Sequence, residues 1–184
     1  FDSQSIFFDI RLEPYLLATA ERHVDLAPQL QALVRDTQAQ AISLVHGDVS
    51  PKNILVDGHA PVFLDAECAV WSDPAFDLAF CLNHLLLKCL WTPVATAGFL
   101  ACFDGLVDAY LPGVDWEPAD ALQSRAARLL PGLLLARVDG KSPVEYLTQD
   151  TQRQVVRGVA RALLQQPVGR LGEVAQAWHQ GRSR

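Results

Sequence analysis

The stretch His46-Gly47-Asp48-Val49-Ser50-Pro51-Lys52-Asn53-Ile54-Leu55-Val56, continued after a turn by Val62-Phe63-Leu64-Asp65-Ala66-Glu67, decides how the chain is read. Short apolar, partly β-branched runs at 43–45, 54–56 and 62–64 have the texture of strands, and Asp57-Gly58 is a turn signal between the last two. A histidine, two acids and an amide sit at the ends of these runs, held in place by apolar neighbours. The plain alternative is that Asp48, Asn53 and Asp65 are turn and cap residues, for which Asp and Asn are common.

Outward from this segment the period changes. Residues 10–21 and 26–38 repeat apolar side chains at three and four, which predicts two amphipathic scaffold helices separated at Asp25 and Pro28. Beyond Pro74 the pattern is helical again, with helices predicted over 74–91, 96–110, 118–136, 143–147 and 151–164 and a last one near 169–179. Asp73-Pro74 supplies a cap residue followed by a proline suited to the first helical position. The helix after it is apolar on nearly every face, as expected of a helix at the centre of a helical lobe. Asp77 lies on that helix, and burying it unpaired would cost several kcal/mol. It is therefore expected to accept hydrogen bonds from backbone N–H groups of a neighbouring loop.

Composition narrows the classes. The 184 residues suit one domain or one lobe of a larger enzyme, and the 50% hydrophobic content excludes a disordered chain. With 21 acidic against 15 basic residues the formal charge is −6, so the basic stripe that binds nucleic acid is missing. Lys88, Pro93 and Pro131 interrupt the richest apolar stretches, and no membrane partner is expected. Cys68, Cys81, Cys89 and Cys102 form no C-x-x-C pair and lie in apolar segments, where a free thiol packs as a small hydrophobe. That usage fits a reducing cytosol, and a cytoplasmic location is expected. The chain has no methionine and starts at Phe1 without a basic signal region, so further sequence is expected upstream.

Phosphoryl transfer asks for the set of residues found in the central stretch: a carboxylate to orient or deprotonate an attacking hydroxyl, and hard oxygens to hold Mg²⁺ against nucleotide phosphates. His46-x-Asp48, followed five residues later by Asn53, has the spacing of the protein-kinase catalytic loop H-R-D-x-x-x-x-N, with Gly47 in place of the arginine. Together with Leu64-Asp65-Ala66-Glu67 and Asp73-Pro74-Ala75-Phe76-Asp77-Leu78-Ala79, it resembles the aminoglycoside phosphotransferase and choline kinase-like family of small-molecule kinases over residues 44–90. The resemblance implies the C-terminal lobe of a protein-kinase-like α+β fold, here mainly α with a small β hairpin. Residues 1–42 would be scaffold helices, 43–73 the catalytic and metal-binding β segment, and 74–184 a helical subdomain. It implies an ATP- and Mg-dependent phosphotransferase acting on a hydroxyl of a small molecule. Asp48 would be the catalytic base, Asn53 and Asp65 the Mg²⁺ ligands with Glu67 assisting, and His46 and Asp77 the supports of the catalytic loop.

Other residues have two readings. His84 is two helical turns beyond Asp77 on the same face, either as a core histidine or touching substrate. Ser50 and Lys52 belong to a solvated loop or touch substrate or phosphate. In the stretch 137–146, Asp139-Gly140 reads as a turn, Ser142 as a cap, Pro143 as a first helical residue and Glu145 as the partner in a capping box. The resemblance keeps Arg137, Asp139 and Lys141 as acceptor-pocket candidates. Asp108, Asp115, Glu117 and Asp120 read as a solvated acidic face that is also able to attract a cationic acceptor. A kinase of this type also needs a glycine-rich loop over the phosphates and a strand lysine paired with a helix glutamate, and neither occurs in residues 1–184. A nucleotide lobe is therefore expected elsewhere, with an apolar patch exposed where it docks. Residues 1–184 alone are expected to lack activity and to self-associate. The rival reading is a non-catalytic binding or interaction module that keeps the kinase-like fold.

Overall fold

The computed structural model describes residues 3–58 and 60–182. Its centre is helix α4 (Ala75–Trp91), of which only Asp77, Lys88 and Trp91 escape full burial. The Asp73 carboxylate accepts the Ala75 N–H at 3.0 Å, which fixes where this helix begins. Side chains such as Leu82 and Leu86 are wholly buried, each contributing roughly 1.5–3 kcal/mol through lost contact with water. Helix α5 (Thr96–Tyr110) and the long α6 (Ala119–Asp139) pack on α4, and α7 (Asp150–Gln165) and α8 (Leu171–Arg182) pack on α6.

Arg125 on α6 secures the start of α4. It donates to Asp73 at 2.9 and 3.0 Å and to Glu117 at 2.7 Å through two further N–H groups. Glu117 is thereby an internal ion-pair partner and not part of a free acidic face.

The N-terminal region is one helical run whose character changes along its length: α1 (Ser3–Phe7), a π-helical stretch (Phe8–Leu17) and α2 (Ala18–Arg22). The run begins seven residues before the predicted 10–21. Pro14, which has no N–H to give a regular helix, lies in the widened stretch, and its carbonyl accepts the Lys141 N–H at 2.9 Å. Phe7 meets Phe76 edge-on at 4.9 Å, which ties this run to the central helix. Helix α3 (Ala27–Gln38) approaches α6 at Gly132, where a Cβ would stand 2.7 Å from Leu33 Cδ1.

The β content is two antiparallel pairs and not a single hairpin. β1 (Ser43–Val45) pairs with β4 (Val70–Ser72), Ser43 opposite Ser72; β2 (Ile54–Val56) pairs with β3 (Pro61–Phe63), Ile54 opposite Phe63. β4 is absent from the sequence prediction. The outer face of these strands is apolar and open to solvent at Leu44, Leu55, Val56, Val62, Phe63 and Trp71.

Two further expectations are corrected. No helix forms over 143–147. The Arg137 carbonyl takes the Val144 N–H at 2.8 Å, and the Arg137 guanidinium bonds the Ser142 carbonyl, so the groups that would start a helix are already engaged. Cys102 is exposed, unlike the buried Cys68, Cys81 and Cys89. The helical stretch Pro93–Gly113 is long and apolar enough to cross a membrane and is largely unburied, a feature that counting consecutive apolar residues hides because Asp104 and Asp108 interrupt it.

Candidate functional site

Between β1 and β2 the chain makes the loop that carries Asp48. Gly47 has φ +80°, and a Cβ there would lie 2.9 Å from both Cys68 Cβ and the Cys68 carbonyl oxygen. Both facts require glycine at the place where the kinase-like pattern has arginine. The turn is held from beneath by Asp77, whose two carboxylate oxygens accept the N–H groups of His46 at 2.7 Å and Gly47 at 2.9 Å. Burial pushes the Asp77 carboxyl above its ordinary value, while those two backbone donors pull against the shift. His46 Nδ1 accepts the Asp48 N–H at 3.2 Å, so a proton on the neutral ring sits on Nε2.

The Asp48 carboxylate is nearly buried and has defined neighbours. Asn53 Nδ2 donates to Asp48 Oδ2 and to the Asp48 carbonyl, both at 3.0 Å, which closes the loop on itself. Arg11 Nη2 lies 3.4 Å and Lys52 Nζ 3.9 Å from the same Oδ2. Among the described residues Oδ1 has no hydrogen-bond partner, so one oxygen is oriented by its twin and is itself free to accept a proton.

Arg11 is the residue that sequence reading missed. It sits on a helix read as scaffold, yet its Nε donates to the Gly47 carbonyl at 2.5 Å. No local pattern marks it, because it reaches the loop from 36 positions away.

Asp65, two residues after β3, stands in the left-handed region, φ 68° and ψ 49°, the one non-glycine residue with positive φ among the described residues. Asp tolerates this conformation better than most, and it turns an exposed carboxylate out of the strand. The Leu64 N–H donates to the Asn53 carbonyl at 2.8 Å, so the chain leaving β3 and the loop that carries Asp48 are hydrogen-bonded neighbours. Glu67 is exposed on the adjoining 3₁₀ turn, Ala66–Cys68. Among the described residues no three His, Cys, Asp or Glu side chains gather as metal ligands. The donor set of one amide and one or two carboxylates is nevertheless chemically suited to Mg²⁺, which ordinarily takes only one or two carboxylates alongside waters and substrate phosphates.

Residues 50–52 also wall a cavity of about 690 Å³ whose other side is built by His84, Lys88 and residues 137–146. His84 is buried, with Nδ1 3.3 Å from Tyr146 Oη. Its pKa is depressed to about 3 by burial first and then by the charges of Arg137, Lys88 and Lys52. Arg137 and Lys141 reach this cavity, whereas Asp139 is turned away into an ion pair with Arg157 at 2.8 Å and a hydrogen bond with His23 at 2.9 Å.

A family model of phosphotransferase enzymes matches residues 4–122, which includes every residue of the loop, both strand pairs and α4. The chain belongs to the phosphotransferase enzyme family. No curated protein matches it. In this phosphotransferase-family chain the match ends near the start of α6, so the 137–146 wall of the cavity lies outside the shared region.

Proposed function

We propose that the protein transfers a phosphoryl group from ATP to a hydroxyl of a small molecule, with Asp48 as catalytic base, in the manner of a kinase-like C-terminal lobe. The observation that carries this reading is the Asp48 carboxylate itself: Oδ2 is fixed by Asn53 while Oδ1 has no partner among the described residues, on a loop fastened to the central helix by Asp77. The acceptor's oxygen forms its bond to the γ-phosphorus and gives its proton to Asp48 Oδ1. The bond from that phosphorus to the bridging oxygen breaks, and ADP leaves with the electron pair. Asn53 and Asp65 would hold Mg²⁺, with Glu67 beside them; when bound, the ion supplies positive charge against the phosphate oxygens. Arg11 and Lys52 bear on the same carboxylate and help to set its position. The apolar outer face of the two strand pairs supports the proposal that residues outside 1–184 cover the nucleotide from that side.

The test is ADP release by the full-length protein with Mg·ATP and a panel of hydroxyl compounds. Asp48→Asn is expected to lower turnover by a factor on the order of 10²–10⁴ without moving the melting temperature. Turnover within threefold of the wild type would remove Asp48 from the role of base and favour a binding module that keeps the kinase-like fold.

A further inference from the structure

The cavity behind the catalytic loop has a sign. Four cations line it, Lys52, Lys88, Arg137 and Lys141, against a single carboxylate, Glu145, in a chain whose formal charge is −6. They come from three separate parts of the sequence, so only the fold brings them together. Two of them have local partners: Lys141 pairs with Glu13, and Lys52 is 3.9 Å from Asp48. The other two have no carboxylate among the described residues. Lys88 Nζ sits over the rings of Trp91 at 4.6 Å and Tyr146 at 5.3 Å. Arg137 bonds the Tyr15 hydroxyl at 3.0 Å and the Ser142 carbonyl, and its Nε is buried with no partner among the described residues.

Ser50 also belongs to this wall; it is 1% exposed, and its hydroxyl has no hydrogen-bond partner among the described residues. That hydroxyl and Arg137 Nε are shut from the open space of the cavity, so the charges of Lys88 and Arg137, and not these two atoms, carry the recognition. Like charges held near one another in a partly dry cavity repel, and an anion relieves that repulsion while gaining charge-assisted hydrogen bonds. A cationic acceptor would meet the opposite balance. None of Asp108, Asp115, Glu117 or Asp120 lines this cavity.

We propose that the cavity takes an acceptor that is itself anionic: a small hydroxyl compound bearing a carboxylate or phosphate, whose charge is held by Lys88 and Arg137 while its hydroxyl faces Asp48. This rests on the phosphotransfer reading above and names the substrate class for that same site. An aminoglycoside or a choline-like amine is excluded by it. Carboxylate and phosphate share the recognition chemistry of the cavity, and the probes separate them.

The experiment titrates D-glycerate, glycerol 3-phosphate, glycerol and choline into the full-length protein at low salt, followed by chemical-shift changes in isotope-labelled protein. One or both anions are expected to bind and to shift the resonances of residues 52, 88 and 137–141, with glycerol and choline far weaker. Lys88→Met is expected to weaken the anion about tenfold, and Arg137→Gln by at least as much. Because Arg137 also supports the chain at Ser142, Lys52→Met, at an exposed side chain, gives a second reading that does not depend on local folding. Equal affinity for glycerol and the anions, or anion binding indifferent to all three substitutions, would overturn the proposal. Mg·ATP-dependent phosphorylation of choline or an aminoglycoside in preference to both anions would overturn the acceptor class and leave the phosphotransfer reading standing. Anion binding at this cavity without ADP formation from any hydroxyl compound would overturn the phosphotransfer reading and reduce the cavity to an anion-binding site.

Discussion

The helical subdomain and the β segment around Asp48 are held together by different forces. Around α4 the structure is a continuous apolar core in which nearly every side chain is shut from water. The segment from β1 to β4 has four three-residue strands, and the side chains of β2 and β3 are partly or fully exposed. Its geometry rests instead on a few directed contacts, among them Asp77 under the loop, Asn53 across it and Arg11 beside it. Burial is non-directional and gives stability; hydrogen bonds are directional and give position. The residues that need position to within a fraction of an ångström sit in the second kind of region.

Substitutions in the two regions should therefore separate stability from position. Leu86→Ala, in the core, is expected to cost about 2–5 kcal/mol in denaturant unfolding, through lost transfer energy and the cavity left behind. Asp77→Ala, at the boundary of the two regions, strips the acceptor from two loop N–H groups. A loss of about 1–3 kcal/mol is expected, together with a turnover defect larger than the shift in melting temperature explains. Native turnover in this variant would show that the loop is positioned by something other than the carboxylate.

A finer effect concerns pH. The folded-state pKa of His84 is near 3, well below its ordinary value of 6.5, so the unfolded chain takes up a proton that the native state refuses. Stability from this source is complete above pH 6.5 and falls as the pH drops towards 3. The sign is that of a histidine buried neutral, and the loss on going from pH 7.5 to 5.5 is about 1 kcal/mol. His84→Asn is expected to flatten this part of the unfolding profile, and an unchanged slope would place the titrating group elsewhere. Smallest of all is Val56→Ser on the open face of β2, expected to lie within about 0.5 kcal/mol of the wild type in the same denaturant assay. A cost approaching that of Leu86→Ala would erase the contrast between the regions.

What sequence reading reached follows the same division. The bounds of α5, the strands at 43–45 and 54–56, and the need of Asp77 for backbone partners were legible because each follows from local period or from one buried charge. β4 was not, since Val70-Trp71-Ser72 has strand character only against its partner 27 positions earlier. The helix predicted over 143–147 failed because its capping signals compete with Arg137, at the end of α6, whose guanidinium and backbone carbonyl claim the same backbone. The resemblance had kept Arg137 and Lys141 as acceptor-pocket candidates, and both line the cavity, whereas Asp139 turns away into its ion pair with Arg157. Arg11 beside Asp48 and the cationic balance of the cavity leave no mark in any window of sequence, because they exist only where separate segments converge.

The irregular stretch that replaced the predicted helix has its own consequence. Residues 140–146 hang from Arg137 and the Pro14 carbonyl, have no regular structure and lie beyond the region matched by the family model, while the loop bearing Asp48 is fastened to the most deeply buried helix of the chain. Part of the cavity wall can therefore change without touching the loop that carries Asp48, while Lys52 and Lys88 tie the rest of that wall to the loop and to α4. Substitutions at the exposed Lys141, Pro143 and Glu145 change the cavity wall and leave the hydrogen bonds around Asp48 intact, whereas the buried Val144 and Gly140, whose Cβ would lie 2.6 Å from the Ala136 carbonyl oxygen, are held by the fold. On the proposed reading, a lineage exchanges one acceptor for another by drifting at those exposed positions, without rebuilding the loop that carries Asp48.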